Sequence, residues 1–372
     1  MSTKPKILVT SATGKTGTPT VLQLLEKGFP VRAFVRKLDH RSEALENAGA
    51  EIFVGNQYSI TDLRAAMAGV KRAYQCAPAA PNPLIFYAAF AAAAYEADLE
   101  HVVTLGQWLS AADHHSPMTR AVYMGEILIK MRPETTVTTI NVGWFAENYM
   151  VGLETAAQLG VFSMPLGDGN VKKNAAPSNE DIASVAVGAL VDPAVHAGKT
   201  YRPTGPELLS PNDIAAAMGR ALGREVKYRD IPEKMMLKAF KALGALGATS
   251  TYSGAGAYQL RLYADEYRRG AFAVNAPTRD VETVGGRTPE SMESIVRRYI
   301  ADRPNLKPSS TGKLKSIGSF LKILVTRAPD MNAVAADRDF VMVKDSTFCQ
   351  DDAEWRETHE PKNLKLVAGQ VA

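Results

Sequence analysis

Several features that mark particular classes of protein are scarce in this sequence. Only two cysteines, Cys76 and Cys349, occur in 372 residues, far apart and outside any CxxC pair, so neither a disulfide framework nor a cysteine-based zinc site is expected. The formal charge is only +4 and no local basic cluster is present, which argues against a nucleic-acid partner. The adjacent His114 and His115 lack the i, i+4 spacing of a helical metal site. We therefore predict no metal ion.

Long apolar runs are also missing. After Lys4 and Lys6 the chain enters a short strand-like run and a glycine turn, without the apolar segment and cleavage site of a signal peptide. The long uncharged stretch 76–95 carries three prolines in its first half, so a strand end followed by an alanine-rich helix is expected there instead of a membrane span. These absences predict a cytoplasmic protein with no integral membrane segment.

A regular alternation of short β-rich runs and helical patterns is present instead. Apolar residues make up 46% of the chain and charged residues 22%, the composition of a globular protein. The alternation predicts βαβ units and hence an α/β fold with a doubly wound parallel sheet. Predicted strands are 6–10, 31–35, 51–54, 72–75, 101–105, 137–141 and 199–203, with helices 17–26, 42–48, 60–67, 84–97, 121–132 and 178–190.

The most informative motif joins the first strand to the first helix. Its S-x-x-G-x-x-G spacing places small residues where a dinucleotide pyrophosphate approaches the backbone at a helix N-terminus. Gly14 would allow this approach, and Gly17 would let the helix pack against the strand; a tight structural turn is the alternative. The candidate cofactor-binding residues here are Thr10, Ser11, Thr13, Gly14, Lys15, Thr16 and Gly17.

The end of the second strand indicates which dinucleotide binds. Arg36 and Lys37 follow the strand directly, with no acidic residue before Asp39. An NAD site usually has an acidic residue at about this place for the ribose hydroxyls, whereas a 2′-phosphate requires a cation. The sequence therefore favours NADP(H), with a solvated strand end as the alternative. Asn56, Ala77 and Gly106, at the ends of later strands, are further candidates to border the cofactor.

Several motifs taken together resemble the NmrA-like family of atypical short-chain dehydrogenases/reductases. They comprise SATGKTG at 11–17, Arg36, GWFAEN at 143–148, 198–210, 222–228 and GRTPES at 286–291. The resemblance spans about residues 5–302. It implies a Rossmann domain that prefers NADP(H) and a cleft between its sheet and a smaller lobe. Family members include quinone and dye reductases, ergot-alkaloid dehydrogenases and redox-sensing regulators that bind the dinucleotide without reducing anything.

Departures from the family concern the chemistry. Val122 stands where a lysine often precedes the helix glutamate, here Glu126, and Asn56 stands where an aspartate is frequent. Tyr123 is followed four residues later by Ile127, so the Tyr-Lys pair that protonates a carbonyl oxygen in ordinary short-chain dehydrogenases is absent. Tyr123 is the candidate catalytic residue, with a core tyrosine as the alternative.

The candidate substrate pocket lies beyond the fifth and sixth strands. Gln107 and Trp108 follow the fifth strand, and Trp144 and Phe145 follow the sixth, at carboxyl ends where α/β proteins bind ligands; ordinary lobe packing is the alternative for the aromatics. Because the protein lacks a Tyr-Lys pair, its acceptor should be one that needs little acid catalysis, such as a quinone, a dye or an iminium ion. We expect either an NADPH-dependent reductase of a small conjugated acceptor or a non-catalytic NADP(H) sensor that acts through a partner protein.

The predicted organisation has three parts. We assign 1–150 to the NADP-binding Rossmann domain, completed by about 176–205; 151–175 and 206–302 to a mainly helical substrate lobe; and 303–372 to a linker and C-terminal extension. A chain that ends at Asp302 is expected to fold and bind NADPH. In the extension, an amphipathic stretch is expected to dock on the body or on a second subunit of a homodimer, with membrane-surface binding as the alternative; it comprises Lys315, Ile317, Phe320, Leu321, Lys322 and Leu324.

Overall fold

The computed structural model describes residues 4–78, 82–242, 254–301, 303, 306–337, 340 and 343–360. Residues 243–253 and 302 of the predicted lobe, and residues 304, 305, 338, 339, 341, 342 and 361–372 of the predicted extension, lie outside this set. The described strands are β1 Ile7–Val9, β2 Val31–Val35, β3 Glu51–Val54, β4 Arg72–Gln75, β5 His101–Gln107, β6 Thr136–Val142, β7 Val161–Met164, β8 Thr200–Tyr201 and β9 Lys227–Asp230.

Sixteen α-helices are described, and several begin with a capping residue that the sequence supplies. Ser178, for example, accepts a hydrogen bond from the Asp181 backbone at 3.1 Å, which satisfies an otherwise unpaired N–H group. The helices are α1 Gly17–Glu26, α2 His40–Asn47, α3 Ile60–Met67, α4 Pro83–Ala97, α5 Pro117–Lys130, α6 Leu153–Leu159, α7 Asn179–Val191, α8 Pro193–His196, α9 Pro211–Leu222, α10 Glu233–Ala242, α11 Gly254–Arg269, α12 Asp280–Thr283, α13 Met292–Ala301, α14 Ser310–Val325, α15 Met331–Asp337 and α16 Ala353–His359.

The predicted α/β fold is confirmed. Seven strands form one sheet in the order β3-β2-β1-β4-β5-β6-β8, and each pair of neighbours is parallel. Helices cover both faces, with α1 and α7 packed together on one and α3, α4 and α5 on the other. The strand order reverses between β1 and β4, so a ligand crevice is expected at the carboxyl ends of these two strands.

The lobe contains a feature that the sequence analysis does not predict. β7 and β9 form a separate two-stranded parallel sheet within the otherwise helical region, where the residues around 150–180 give only an irregular pattern. Each strand has four residues, too few to show a clear alternation. The lobe core is aromatic, and its fully buried side chains include Trp144, Tyr149 and Phe162.

The C-terminal extension packs on the lobe. Five of its described residues are at least nine-tenths buried within the apolar cluster of the lobe: Leu306, Met331, Phe340, Cys349 and Trp355. The amphipathic stretch lies on α14, whose Ile317, Phe320, Leu321 and Leu324 are 41–57% exposed. Docking of this face on a second subunit stays a prediction, as does folding without the extension. Among the described residues, no helix has both the length and the apolar character needed to cross a membrane.

Candidate functional site

The glycine turn lies directly beside the crevice between β1 and β4. Thr10 and Ser11 donate their side-chain hydroxyls to the Cys76 carbonyl oxygen, at 3.2 and 2.9 Å, which ties the turn to the end of β4. Ser11 adopts φ +49°, a left-handed conformation that a non-glycine residue adopts at a cost. This serine stands where the family fingerprint has its first glycine.

The two glycines of the turn are required by its packing. A Cβ at Gly14 would lie 2.9 Å from the Ser11 carbonyl oxygen, and one at Gly17 would collide with that oxygen and lie 2.9 Å from the Cα of Ala12. The turn brings its backbone to the N-terminus of α1, where Thr16 provides no side-chain cap and the first helical turn holds no acidic residue. An uncapped helix N-terminus at a ligand crevice suits an anionic phosphate.

The side chains of the turn differ in their availability. Thr16 is buried, and its hydroxyl accepts a hydrogen bond from Tyr74 at 3.0 Å, so this hydroxyl is already used within the fold. Thr13 is half-buried. Lys15 is exposed to solvent. Surrounding protein atoms nevertheless lower the pKa of its ammonium group, with the carboxylate of Glu147 acting in the opposite direction. Lys15 thus places a cation at the turn.

Arg36 and Lys37 lie at the end of β2, next to this turn, and both are exposed. The Lys37 ammonium lies 4.0 Å from a carboxylate oxygen of Asp39, which itself pairs with Arg41 and caps α2. Within the part of the chain that the structure describes, the Arg36 guanidinium makes no hydrogen bond or ion pair. It is therefore available for a bidentate contact with a phosphate.

The other predicted cofactor residues line the neighbouring strand ends. The Asn56 side-chain oxygen accepts a hydrogen bond from the Tyr58 backbone at 3.0 Å, which shapes the turn after β3. Ala77 is half-buried just beyond β4. Gly106 is buried near the end of β5, and a Cβ there would collide with the Asn141 amide oxygen and a carboxyl oxygen of Glu126.

Glu126 is a buried residue of α5 for which the sequence predicts no role of its own. The Ser110 hydroxyl donates to it at 3.2 Å, and burial raises its pKa to about 7. The side-chain oxygens of Gln107 and Asn141 are buried without a described hydrogen-bond partner. A protonated carboxyl group is a donor that such oxygens can use. The signal available in the sequence is an acidic residue on the apolar, sheet-facing side of α5.

Tyr123 lies one turn before Glu126, on the same helix. Its hydroxyl donates to a carboxylate oxygen of Glu354 at 2.8 Å. Partial burial and this carboxylate raise its pKa to about 12. A lysine partner would lower the pKa of a tyrosine, so Tyr123 is tuned in the opposite direction from an activated general acid–base residue.

The predicted substrate-pocket aromatics are packed in the interior. Trp108 is 2% exposed and donates its indole N–H to the Ala271 carbonyl oxygen at 3.0 Å. Trp144 is fully buried and stacks on Tyr149 with ring centroids 5.9 Å apart. Phe145 is partly buried against the Rossmann core, which agrees with the alternative of ordinary packing. Their contact with a substrate stays a prediction.

Two cavities lie away from this carboxyl edge. One of about 440 Å³ is lined by residues of α4 and α5 and by Val102 near the start of β5. The other, of about 550 Å³, includes Gly160 and Arg224 in its lining. Because ligands of parallel α/β sheets bind at the carboxyl ends of the strands, the candidate site is the glycine turn and the end of β5, and neither of these cavities lies there.

Comparison with known proteins identifies the family. The NAD(P)H azoreductase of Xenophilus azovorans is 32% identical over 239 residues, which cover 64% of this chain and 81% of that protein. The structure of the quinone oxidoreductase QOR2 of Escherichia coli complexed with NADPH is similar with a TM-score of 0.65 at 21% identity, covering 79% of this chain and 99% of that one. The negative transcriptional regulator NmrA in complex with NADP matches with a TM-score of 0.64 at 19% identity, covering 82% and 98%. Residues 3–262 match the sequence model of the NmrA-like family, and the chain therefore belongs to this family.

Proposed function

We propose that this protein is an NADPH-dependent oxidoreductase that reduces small, electron-poor conjugated acceptors such as quinones and azo or related dyes. The observation that carries the proposal is the Arg36 guanidinium at the end of the strand that pairs with β1. It makes no hydrogen bond or ion pair with any described residue, and the N-terminus of α1, which follows β1, has no side-chain cap. An arginine here suits the 2′-phosphate of NADP(H), and the helix N-terminus suits the pyrophosphate.

The residues present fit this cofactor. The turn at Gly14 and Gly17 keeps side chains away from the approach to α1, and Lys15, Arg36 and Lys37 supply positive charge around it. Bound NADPH would supply a hydride for the reaction. The protein would hold the dinucleotide along the β1–β4 crevice and align an acceptor beyond the end of β5.

The raised pKa of Tyr123 supports an acceptor that needs little acid catalysis. With its pKa raised to about 12 and its hydroxyl given to Glu354, this tyrosine is a weak proton donor at neutral pH. Quinones and similar π systems accept a hydride before they need a proton, and the product anion can then be protonated by water. The relative that is 32% identical is named as an azoreductase, which is an activity of this chemical type.

The test is anaerobic NADPH oxidation with a panel of a quinone, an azo dye, a triphenylmethane dye and an enone. Calorimetry should give tighter binding of NADPH than of NADH. Arg36→Asp should remove this preference. Arg229→Asp, which changes an exposed arginine of β9 by the same charge, should keep it. Equal affinities for the two dinucleotides in the wild type would contradict the assignment.

A non-catalytic NADP(H) sensor is the second candidate. The similarity of fold to NmrA and the tight packing of Trp108 and Trp144 favour it. The two proposals differ in one measurement: a sensor would bind NADPH with the same preference, yet leave it unoxidised with every acceptor of the panel.

A further inference from the structure

Helix α14 presents most of its large apolar residues to solvent instead of to the lobe. It packs beside α6 and α10, and its least exposed residues follow the helical repeat along one side: Gly312, Ser316, Ser319 and Ile323. Three of these four are small or polar. A surface helix of a globular protein ordinarily turns its large apolar residues toward the core, so the arrangement in α14 is the reverse of the usual one.

The exposed apolar residues form one continuous surface, here called the outer face of α14. Its residues are 41–85% exposed: Leu314, Ile317, Phe320, Leu321, Leu324 and Val325. They recur at spacings of three and four, which places them on one side of the helix. The outer face runs about 16 Å along the helix axis, from its second to its last turn. Continuous apolar surface of this kind marks an interaction site.

The attachment of α14 to the lobe fixes the direction of the outer face. Near the start of the helix, a Cβ at Gly312 would collide with the Gln158 side chain of α6, and the Gln158 side-chain oxygen accepts a hydrogen bond from the Ser309 backbone at 3.2 Å. Near its end, the Lys238 ammonium of α10 donates to the Leu324 carbonyl oxygen at 2.8 Å. Because both ends are held by backbone-specific contacts, the outer face points away from the lobe.

The chain around the outer face is basic. Between residues 303 and 329 there is no aspartate or glutamate, and the charged residues there are Arg303, Lys307, Lys313, Lys315, Lys322 and Arg327. Such a combination of an apolar face with lysines is typical of a helix that lies in the interface of a membrane with anionic lipids.

The neighbouring helices add to this positive charge. On α10, Lys234, Lys238 and Lys241 recur at i, i+4 and i+7 and so share the side that contacts α14. The acidic residues of α6 and α10 are paired: Glu154 lies 3.5 Å from the Lys315 ammonium, and Glu233 lies 3.7 Å from the Arg261 guanidinium. Helices α6, α10 and α14 together carry six lysines and two glutamates, so this surface keeps a net positive charge.

We propose that the outer face of α14 binds the surface of a membrane that contains anionic lipids. The apolar residues would enter the boundary between headgroups and acyl chains, and the lysines of α14 and α10 would contact the headgroup phosphates and carboxylates. A second copy of the chain fits this face less well, because a two-fold contact would place the lysines of one α14 against those of the other. The inference is independent of the proposed function.

The first test compares two kinds of lipid vesicle in a sedimentation assay with the full chain. Vesicles of equal parts phosphatidylserine and phosphatidylcholine should bind the protein at least about tenfold more tightly than vesicles of phosphatidylcholine alone. Lys322→Gln should weaken binding to the anionic vesicles about fivefold, since one basic residue near such a surface contributes about that factor. The control Lys199→Gln, at an exposed lysine before β8, should change it less than about twofold.

The second test removes part of the apolar surface. Ile317→Ser should weaken binding to the anionic vesicles about tenfold, because this side chain would leave water on binding. Ile127→Ser is a matched control on α5, since Ile127 is 47% exposed and Ile317 is 46% exposed; it should change binding less than about twofold. Both variants should keep the melting temperature of the wild type within a few degrees, and if Ile317→Ser does not fold, the comparison of Lys322→Gln with Lys199→Gln decides.

The outcomes distinguish lipid from other partners of the outer face. Failure of the full chain to bind the anionic vesicles overturns the proposal, as does equal binding to the two kinds of vesicle. Equal effects of the Ile317 and Ile127 variants also overturn it. If the partner is a second copy instead, analytical ultracentrifugation without lipid would show a dimer that Ile317→Ser converts to a monomer, and this result likewise overturns lipid binding.

Discussion

The buried carboxyl group of Glu126 should make the stability of this protein depend on pH. Burial raises its pKa from 4.5 to about 7. Between these two values the folded chain keeps a proton that the unfolded chain has released, so the free energy of unfolding falls as pH rises. Glu126→Gln replaces the carboxyl group with a neutral amide of the same shape, whose N–H₂ group can donate to the oxygens of Gln107 or Asn141.

The magnitude follows from the size of the shift. One pKa unit corresponds to about 1.4 kcal/mol, so a rise from 4.5 to about 7 costs the charged form about 3 kcal/mol. At pH 5 most of this penalty is absent, and at pH 8 most of it is present. Relative to the wild type, Glu126→Gln should therefore gain about 2 to 3 kcal/mol in free energy of unfolding between pH 5 and pH 8.

Urea unfolding at both pH values, for both proteins, measures this difference directly. Glu147, whose pKa burial also raises to about 7, contributes equally to both chains and cancels in the comparison. Glu357→Gln, at an exposed site on α16, serves as the control and should follow the wild type. An equal stability difference between wild type and Glu126→Gln at pH 5 and pH 8 would refute the reasoning.

Three further predictions concern the cofactor, the chemistry and the extension. Arg36→Asp should weaken NADPH binding about ten- to a hundredfold more than NADH binding, because a charge-assisted hydrogen bond contributes about 1.5 to 3 kcal/mol; calorimetry with both dinucleotides measures this. Tyr123→Phe should lower kcat for a quinone only modestly, since a general acid contributes about a hundred- to ten-thousandfold; a thousandfold loss with intact NADPH affinity would identify Tyr123 as the acid. A chain that ends at Asp302 is expected to bind NADPH still, but to unfold at a lower temperature because it lacks the buried Cys349 and Trp355; dinucleotide binding and a thermal melt check both parts, and loss of NADPH binding would show that the extension belongs to the core.

The main sheet was predictable because its strands carry a strong local signal. Parallel strands buried on both faces read as short continuous apolar runs, as Ile7–Val9 does, and the glycine turn follows directly. The boundaries differ by a few residues where capping decides them. Helix α2 begins at His40, before the predicted residue 42, because Asp39 caps it, and α5 begins at Pro117 after the cap Ser116.

The rest depends on contacts between residues distant in sequence. Nothing local in Trp355 or Cys349 indicates that they enter the lobe core beside Trp108. Likewise Glu126 gains its raised pKa from burial by the ends of β5 and β6, which a single helix does not reveal. The predicted role of Trp108 and Trp144 as pocket residues followed from their place after strands, whereas their burial reflects how the lobe closes over that edge.

The late position of residues 343–360 has a consequence for folding during synthesis. The strands of the main sheet are complete by residue 201, but Trp355, which packs beside Trp108 in the lobe core, is translated only after the helices of the lobe. At about 5 to 20 residues per second, the ribosome needs about 3 to 11 seconds to pass from the end of α13 to Trp355. During that time apolar lobe surface that Trp355 will cover remains exposed, which is the kind of surface that chaperones protect in incompletely folded chains.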